Sequence, residues 1–221
     1  MKRYNSMENQ QSSLPQKIDH IIYAVPDLEV GRDKFERLFG VRPVIGGRHP
    51  AYGTHNAQLS LGGETYLEII APDPEHDPTK AVVPFGPNGF TQAALVTWVL
   101  RAEAIEEKAA AASAAGLDLG PVKSGQRLKP DGTVIAWKLT EAFATPLAGA
   151  VPFLISWGET PHPAQAVPEV GELVGLRIEH PQPDAVRAAL STLGAAIEVG
   201  AGQQFKMIAR IRTAQGEVEI Q

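Results

Sequence analysis

Cysteine is absent from the 221-residue chain. That excludes disulfides, thiolate metal sites and cysteine nucleophiles, and it fits the reducing cytoplasm expected here. Long apolar runs are missing too: none approaches the roughly 20 residues needed to span a bilayer. No block of five like charges occurs, and 20 basic against 25 acidic residues leave a net charge of −5. Neither nucleic acid nor an anionic membrane is therefore an expected partner. Residues 1–17 are rich in Gln, Ser and Asn without an apolar core, and read as a frayed tail rather than a signal peptide. The GxSxG, HExxH and GxGxxG signatures are all lacking, which argues against a serine hydrolase, a zinc protease and a dinucleotide dehydrogenase.

What is present is an ordinary globular composition, 43% hydrophobic and 20% charged, in a chain long enough to bury a sizeable core. Residues 18–25 (IDHIIYAV) form a continuous apolar run with β-branched members, which predicts a buried strand. Pro26 and Asp27 open a helix with Asp27 as N-cap; Leu28, Gly31, Phe35 and Leu38 recur at helical spacing, and Gly40 closes it. A strand over 42–45, a Gly-rich loop over 46–53, a strand over 54–61, a turn at Gly62-Gly63 and a strand over 65–70 follow. The order is β-α-β-β-β.

The order recurs, with a strand at 94–100, a helix at 103–116 and strands at 120–123, 133–139 and 151–157. Arg48 and Arg127 are each followed five and six residues later by Gly-Thr, so a repeat of about 80 residues is expected. A shorter third copy runs from a strand at 173–178 through a helix capped by Asp184 and ended by Gly194, to strands at 197–199, 205–212 and 217–220. The expected modules are 18–72, 90–158 and 171–221, read together as one domain over 18–221. Segments 73–88 and 160–168 are expected as surface loops.

The blocks DHIIYAVPDLE, GGRHPAYGTHN and YLEIIAPDP, with VPFLISWGETPHPA near the end of the second copy, resemble the glyoxalase-like branch of the vicinal oxygen chelate superfamily. The resemblance implies an α+β fold of tandem βαβββ modules whose curved mixed sheets enclose a cavity. It also implies a small-molecule ligand or substrate; a homodimer is compatible with it. The superfamily includes lyases, isomerases, dioxygenases and non-catalytic resistance proteins, so membership leaves the reaction open. In its metal-dependent members a His on the first strand and a Glu on the last face the cavity. His20 and Glu68 occupy those places here.

His20 and Glu68 would suit a divalent ion such as zinc, iron, nickel or manganese. The plainer alternative is a hydrogen-bonded pocket histidine beside a polar wall, with Glu68 as a general base. Strand parity places Tyr66, Glu68 and Ile70 on one face and Leu67 and Ile69 on the other. It likewise places Asn56, Gln58 and Ser60 toward the cavity, with Leu59 and Leu61 in the core. Asn56, Gln58 and Tyr66 are thus expected to touch the substrate. The second copy departs from the ligand pattern, with Ile155 at the Glu68 position and Val96 near the His20 position. A third metal ligand is sought in Glu219 by strand position, His162 by loop reach, or His55 if it turns inward. Arg48 and Arg127 either grip a substrate anion or tether their turns. Trp98 and Trp137 are read as core, and His162 and His180 as loop residues.

Overall fold

The computed structural model describes residues 17–76, 90–128, 134–142 and 146–221. The first half contains β1 (Ile18–Ala24), α1 (Leu28–Phe39), β2 (Val44–His49), β3 (Thr54–Ser60) and β4 (Tyr66–Pro72). The second contains β5 (Ala94–Arg101), α2 (Ile105–Ala114), β6 (Lys123–Leu128), β7 (Val134–Leu139) and β8 (Phe153–Ser156). The Asp27 carboxylate accepts from the Val30 N–H at 3.0 Å and so caps α1. Gly40, Gly116 and Gly194 all take positive φ just beyond the last residues of helices, as expected.

The eight strands form one sheet in the order β2-β3-β4-β1-β5-β8-β7-β6, curled into a half-barrel. In each half the first strand runs parallel to the last, β1 beside β4 and β5 beside β8. The halves meet where β1 runs antiparallel to β5, so the repeat seen in the sequence becomes a two-fold-like relation about that seam. The sheet divides the apolar residues into two clusters. On the helix side lie Ile21, Tyr23, Phe35, Leu59, Leu61, Leu67, Ile69, Trp98 and Leu154. On the concave side lie Ile22, Ala24, Ile70, Val99, Phe153 and Ile155.

The third unit comprises β9 (Glu172–His180), α3 (Pro183–Thr192), β10 (Glu198–Ala201), β11 (Lys206–Thr213) and β12 (Gly216–Ile220). Its element order repeats the others but its pairing does not. The sheet order is β10-β9-β11-β12, with β9 parallel to β10 and antiparallel to β11. It forms a separate four-stranded sheet whose apolar face, with Leu176, Ile178, Met207 and Ile211, joins the helix-side cluster of the large sheet.

Several local expectations shift. β2 continues through Gly46, Gly47 and Arg48 to His49, so the first half of the expected Gly-rich loop is strand. β6 begins at Lys123, three residues beyond the expected start. Gln182 rather than Asp184 stands at the N-cap of α3, because Pro183 takes the first helical position and Asp184 falls in the first turn. Segment 160–168 is no simple surface loop: a 3-10 turn over Pro163–Ala166 buries Pro163 and Ala164, and His162 before it is buried. His180 closes β9, and its Nδ1 accepts from the Gln182 N–H at 3.0 Å. Residues 1–16, most of the 73–88 segment and the Gly132-Thr133 motif lie outside the described residues. Among the described residues no helix is long and apolar enough to cross a membrane.

Candidate functional site

The concave face of the half-barrel holds a cavity of about 90 Å³. β1 sends His20 and Ile22 into it, β3 sends Asn56 and Gln58, and β4 sends Tyr66, Glu68 and Ile70. The second half contributes Trp137, Leu139, Ala142, Phe153, Ile155 and Trp157, while His49 and Tyr52 belong to the β2–β3 hairpin. One wall is therefore polar and the other apolar.

The polar wall is built by register. His20 stands beside Tyr66 in the parallel β1–β4 pair, and the two rings stack with centroids 4.4 Å apart. Phe153 meets the imidazole edge-on at 6.1 Å. Gln58 lies directly opposite Glu68 in the β3–β4 pair. Asn56 takes the Gly47 N–H on Oδ1 at 2.8 Å and donates from Nδ2 to Glu68 Oε1 at 2.5 Å. The backbone N–H thus fixes which end of the amide faces Glu68. A bulge at Gly46 makes this fit: Ile45 pairs with Ala57 and Gly47 with Asn56, so the register shifts by one residue at Gly46. A Cβ at Gly46 would lie 2.3 Å from Asn56 Oδ1.

Glu68 Oε2 lies 3.4 Å from His20 Nε2, too far for a good direct hydrogen bond but close enough for both atoms to face one ligand atom. On its other side His20 Nδ1 is 2.7 Å from Asp19 Oδ1. Burial opposes charge on the imidazole, but the hydrogen bond to Asp19 and the nearby Glu68 carboxylate outweigh it and raise the His20 pKa to about 9. Burial pushes Glu68 upward, yet His20, with smaller contributions from His49 and Asn56, brings it below its ordinary value. At neutral pH the cavity wall carries an imidazolium beside a carboxylate.

Sequence reasoning missed Asp19. By strict alternation it belongs to the core face with Ile21 and Tyr23. The β1–β5 pairing is irregular here, with Ile18 opposite Leu100 and His20 opposite Val99. The extra residue re-aims Asp19. Its Oδ2 accepts from Arg101 Nε at 3.1 Å, Trp157 Nε1 at 3.0 Å and His162 Nε2 at 3.1 Å. Burial resists ionisation, but the bonds to His162 and His20 hold this carboxyl well below the usual range.

Other sequence candidates lie elsewhere. Arg48 is half exposed and bonded to Glu75 Oε2 at 2.5 Å, so it secures its hairpin and does not line the cavity. Arg127 is on β6, and its side chain lies outside the described residues. Glu219 is exposed on β12 at the edge of the second sheet, far in topology from β1 and β4. His55 points away from Asn56 and Gln58 and does not line the cavity. His162 reaches Asp19 instead. Trp137, expected in the core, lines the cavity, whereas Trp98 is fully buried with Nε1 donating to the Ala150 carbonyl at 3.0 Å. His49, the last residue of β2, also lines the cavity, and its ring Nδ1 lies 3.1 Å from Thr54 Oγ1.

A family model described as a glyoxalase-like domain matches residues 18–194. The chain belongs to the glyoxalase-like domain family. A crystal structure of a hypothetical protein from Staphylococcus aureus is similar over 92% of this chain and 84% of its own, with a TM-score of 0.66 and 14% identity. Methylmalonyl-CoA epimerase from Mycobacterium tuberculosis covers 72% of this chain and 97% of its own, with a TM-score of 0.42 and 16% identity. None of the curated protein sequences matches the chain.

The wider superfamily commonly binds divalent metals, and the glyoxalase-like half-barrel can be tested for such a centre. His20 has the outer-sphere carboxylate that ligating histidines usually have, and its Nε2 converges with Glu68. The relation between the halves places Val99 opposite His20 and Ile155 at the position of Glu68. Val99 faces His20 across the β1–β5 seam, and Val96, expected near the His20 position, stands on the same strand. Neither counterpart can ligate. Among the described residues no three of His, Asp and Glu gather in a metal-holding group. Two donors fall short of the three protein ligands of open catalytic zinc sites, so the residues present do not complete a metal centre.

Proposed function

We propose that this glyoxalase-like protein binds a small organic carbonyl compound and moves a proton on it without a protein-built metal site. The observation that carries this reading is the convergence of His20 Nε2 and Glu68 Oε2, 3.4 Å apart, on the polar wall of a cavity whose opposite wall is Phe153, Ile155, Trp137 and Trp157. Such a pocket suits a molecule with an oxygen-bearing end and an apolar body. Glu68 takes the proton from the carbon beside the carbonyl. The C–H electron pair moves to the carbonyl oxygen, where the His20 Nε2–H donates a hydrogen bond to the developing charge. His20 gives its Nε2 proton to that oxygen and takes one from the neighbouring hydroxyl as the carbonyl forms there, and Glu68 returns its proton on the same face to the former carbonyl carbon, which completes an isomerisation. Substrate itself would prime the base. An oxygen that takes over the His20 N–H loosens Glu68 from that partner, and burial then raises its basicity.

Proton exchange tests the reading. A panel of small α-hydroxy ketones and aldehydes in deuterated water is followed by proton NMR. The wild type is expected to wash out the α-proton signal of a member that fits, and Glu68→Gln is not. Saturable quenching of Trp137 and Trp157 fluorescence without exchange would instead establish a non-catalytic binding protein. Elemental analysis of the native protein beside His20→Ala accompanies the test. Stoichiometric metal lost in the variant would replace the proton-transfer scheme with a metal-dependent one.

A further inference from the structure

We propose that Asp19 is the positioning residue of this site: it holds the His20 imidazole with Nε2 aimed into the cavity, and its own orientation is held by the second half of the chain. The inference rests on the cavity being the functional site, as read above.

The geometry assigns the hydrogens. Arg101 Nε and Trp157 Nε1 can only donate. His162 Nδ1 accepts from the Ala164 N–H at 3.2 Å, so its Nε2 carries the hydrogen it gives to Asp19. All three hydrogens point at Oδ2, within 3.0–3.1 Å. Oδ2 is filled, the carboxylate cannot turn without breaking three bonds, and Oδ1 is left to His20 alone. An ionised carboxylate accepts only, so Nδ1 of His20 must carry a hydrogen. The neutral ring is then held as the Nδ1–H form, with the Nε2 lone pair facing Glu68 and the cavity. The charged ring presents Nε2–H to the same place.

The donors also have an address. Arg101 is on β5, Trp157 follows β8 and is itself cavity wall, and His162 precedes the Pro163–Ala166 turn. The first half of the chain supplies His20 and Glu68, but the second half and the segment after it fix which way His20 points. An unpaired carboxylate beside a histidine would rotate freely. This one is 0% exposed with four donors around it.

Nitrogen NMR of the histidine rings tests the proposal without needing a substrate. The His20 signals among the six histidines are assigned by their loss in His20→Ala. Above about pH 10, where the ring is neutral, the wild type is expected to show protonated Nδ1 and bare Nε2 at His20. Asp19→Asn, whose amide can offer a donor to Nδ1, is expected to reverse the pattern and to slow α-proton exchange at least tenfold with little change in substrate KM. His162→Ala combined with Trp157→Phe keeps the carboxylate and removes two of its three Oδ2 donors. That variant is expected to broaden the His20 signals as the ring gains freedom. An unchanged His20 pattern in either folded variant overturns the proposal. If the wild type exchanges no substrate proton but the ring pattern reverses in Asp19→Asn, the proton-transfer reading fails while the positioning role of Asp19 stands.

Discussion

His20 and Val99 face each other across the antiparallel seam that joins the two halves of the large sheet. Glu68 and Ile155 stand on the strands that flank this seam, paired with Ile22 and Arg101, and both line the cavity. One half-site is polar and its mirror is apolar, which leaves two donors where four would close a coordination sphere. Installing the missing pair tests this symmetry. Val99→His with Ile155→Glu is expected to take up one zinc per chain after dialysis, measured by elemental analysis, while the parent takes up none. A folded double variant that stays metal-free would show that the two half-sites do not converge.

Stability should depend on pH through the buried charges. The His20 pKa is raised from 6.5 to about 9 on folding, against burial and by Asp19 and Glu68. Its contribution is therefore fully present below the unfolded value and is lost as pH rises through about 9. The Asp19 pKa is lowered, so its contribution is present above the ordinary carboxylate range and is lost in acid. Urea midpoints should pass through a plateau between mildly acidic and neutral pH and decline toward pH 9. In His20→Gln the alkaline decline should flatten. A decline of equal size in that variant would assign it to other groups.

Gly46 is predicted to be the least replaceable residue of β2. Any Cβ there meets Asn56 Oδ1, so Gly46→Ala must push Asn56 off Glu68. We expect a loss of about 1–3 kcal/mol in stability, together with weakened ligand binding. Gly47→Ala serves as the control, and equal behaviour of the two would show that the bulge tolerates a side chain.

The two faces of β3 should separate stability from binding. Leu59 is fully buried in the helix-side core, and Leu59→Ala is expected to cost about 2–5 kcal/mol. Gln58→Ala, on the cavity side, should cost much less and act mainly on ligand affinity. Thermal melts and tryptophan quenching on both variants check the division, and reversed outcomes would place the strand in the other register.

Much of this was readable in the sequence because alternation in a strand is a rigid rule. Asn56 and Gln58 face the cavity and Leu59 and Leu61 do not, as the period of two requires. The family blocks likewise matched a family model and a half-barrel. What failed did so where the rule is interrupted. Asp19 was hidden because a bulge moves its side chain, and no local residue pattern announces a bulge without glycine. For Arg48 the sequence left open an anion grip or a tether of its turn, and only the position of Glu75, on the segment after β4, shows the tethering bond. Glu219 had the right element position and lies in another sheet, because strand order in the third unit depends on which edge β9 offers, not on the succession of elements. Trp137 was read as core since an alternating aromatic is the same in either apolar setting; only the curl of the sheet separates them.

The contacts of Asp19 also set an order of assembly. Its partners Arg101, Trp157 and His162 stand 82, 138 and 143 residues along the chain. Contacts of such separation close late, since each must first overcome the entropy of a long loop. A nascent chain that has completed only β1 to β4 carries Asn56 to hold Glu68 but lacks the donors that fix Asp19 and, through it, His20. The set of contacts around Asp19 is complete only when almost three quarters of the polypeptide has been made and docked, so a product truncated before His162 lacks it.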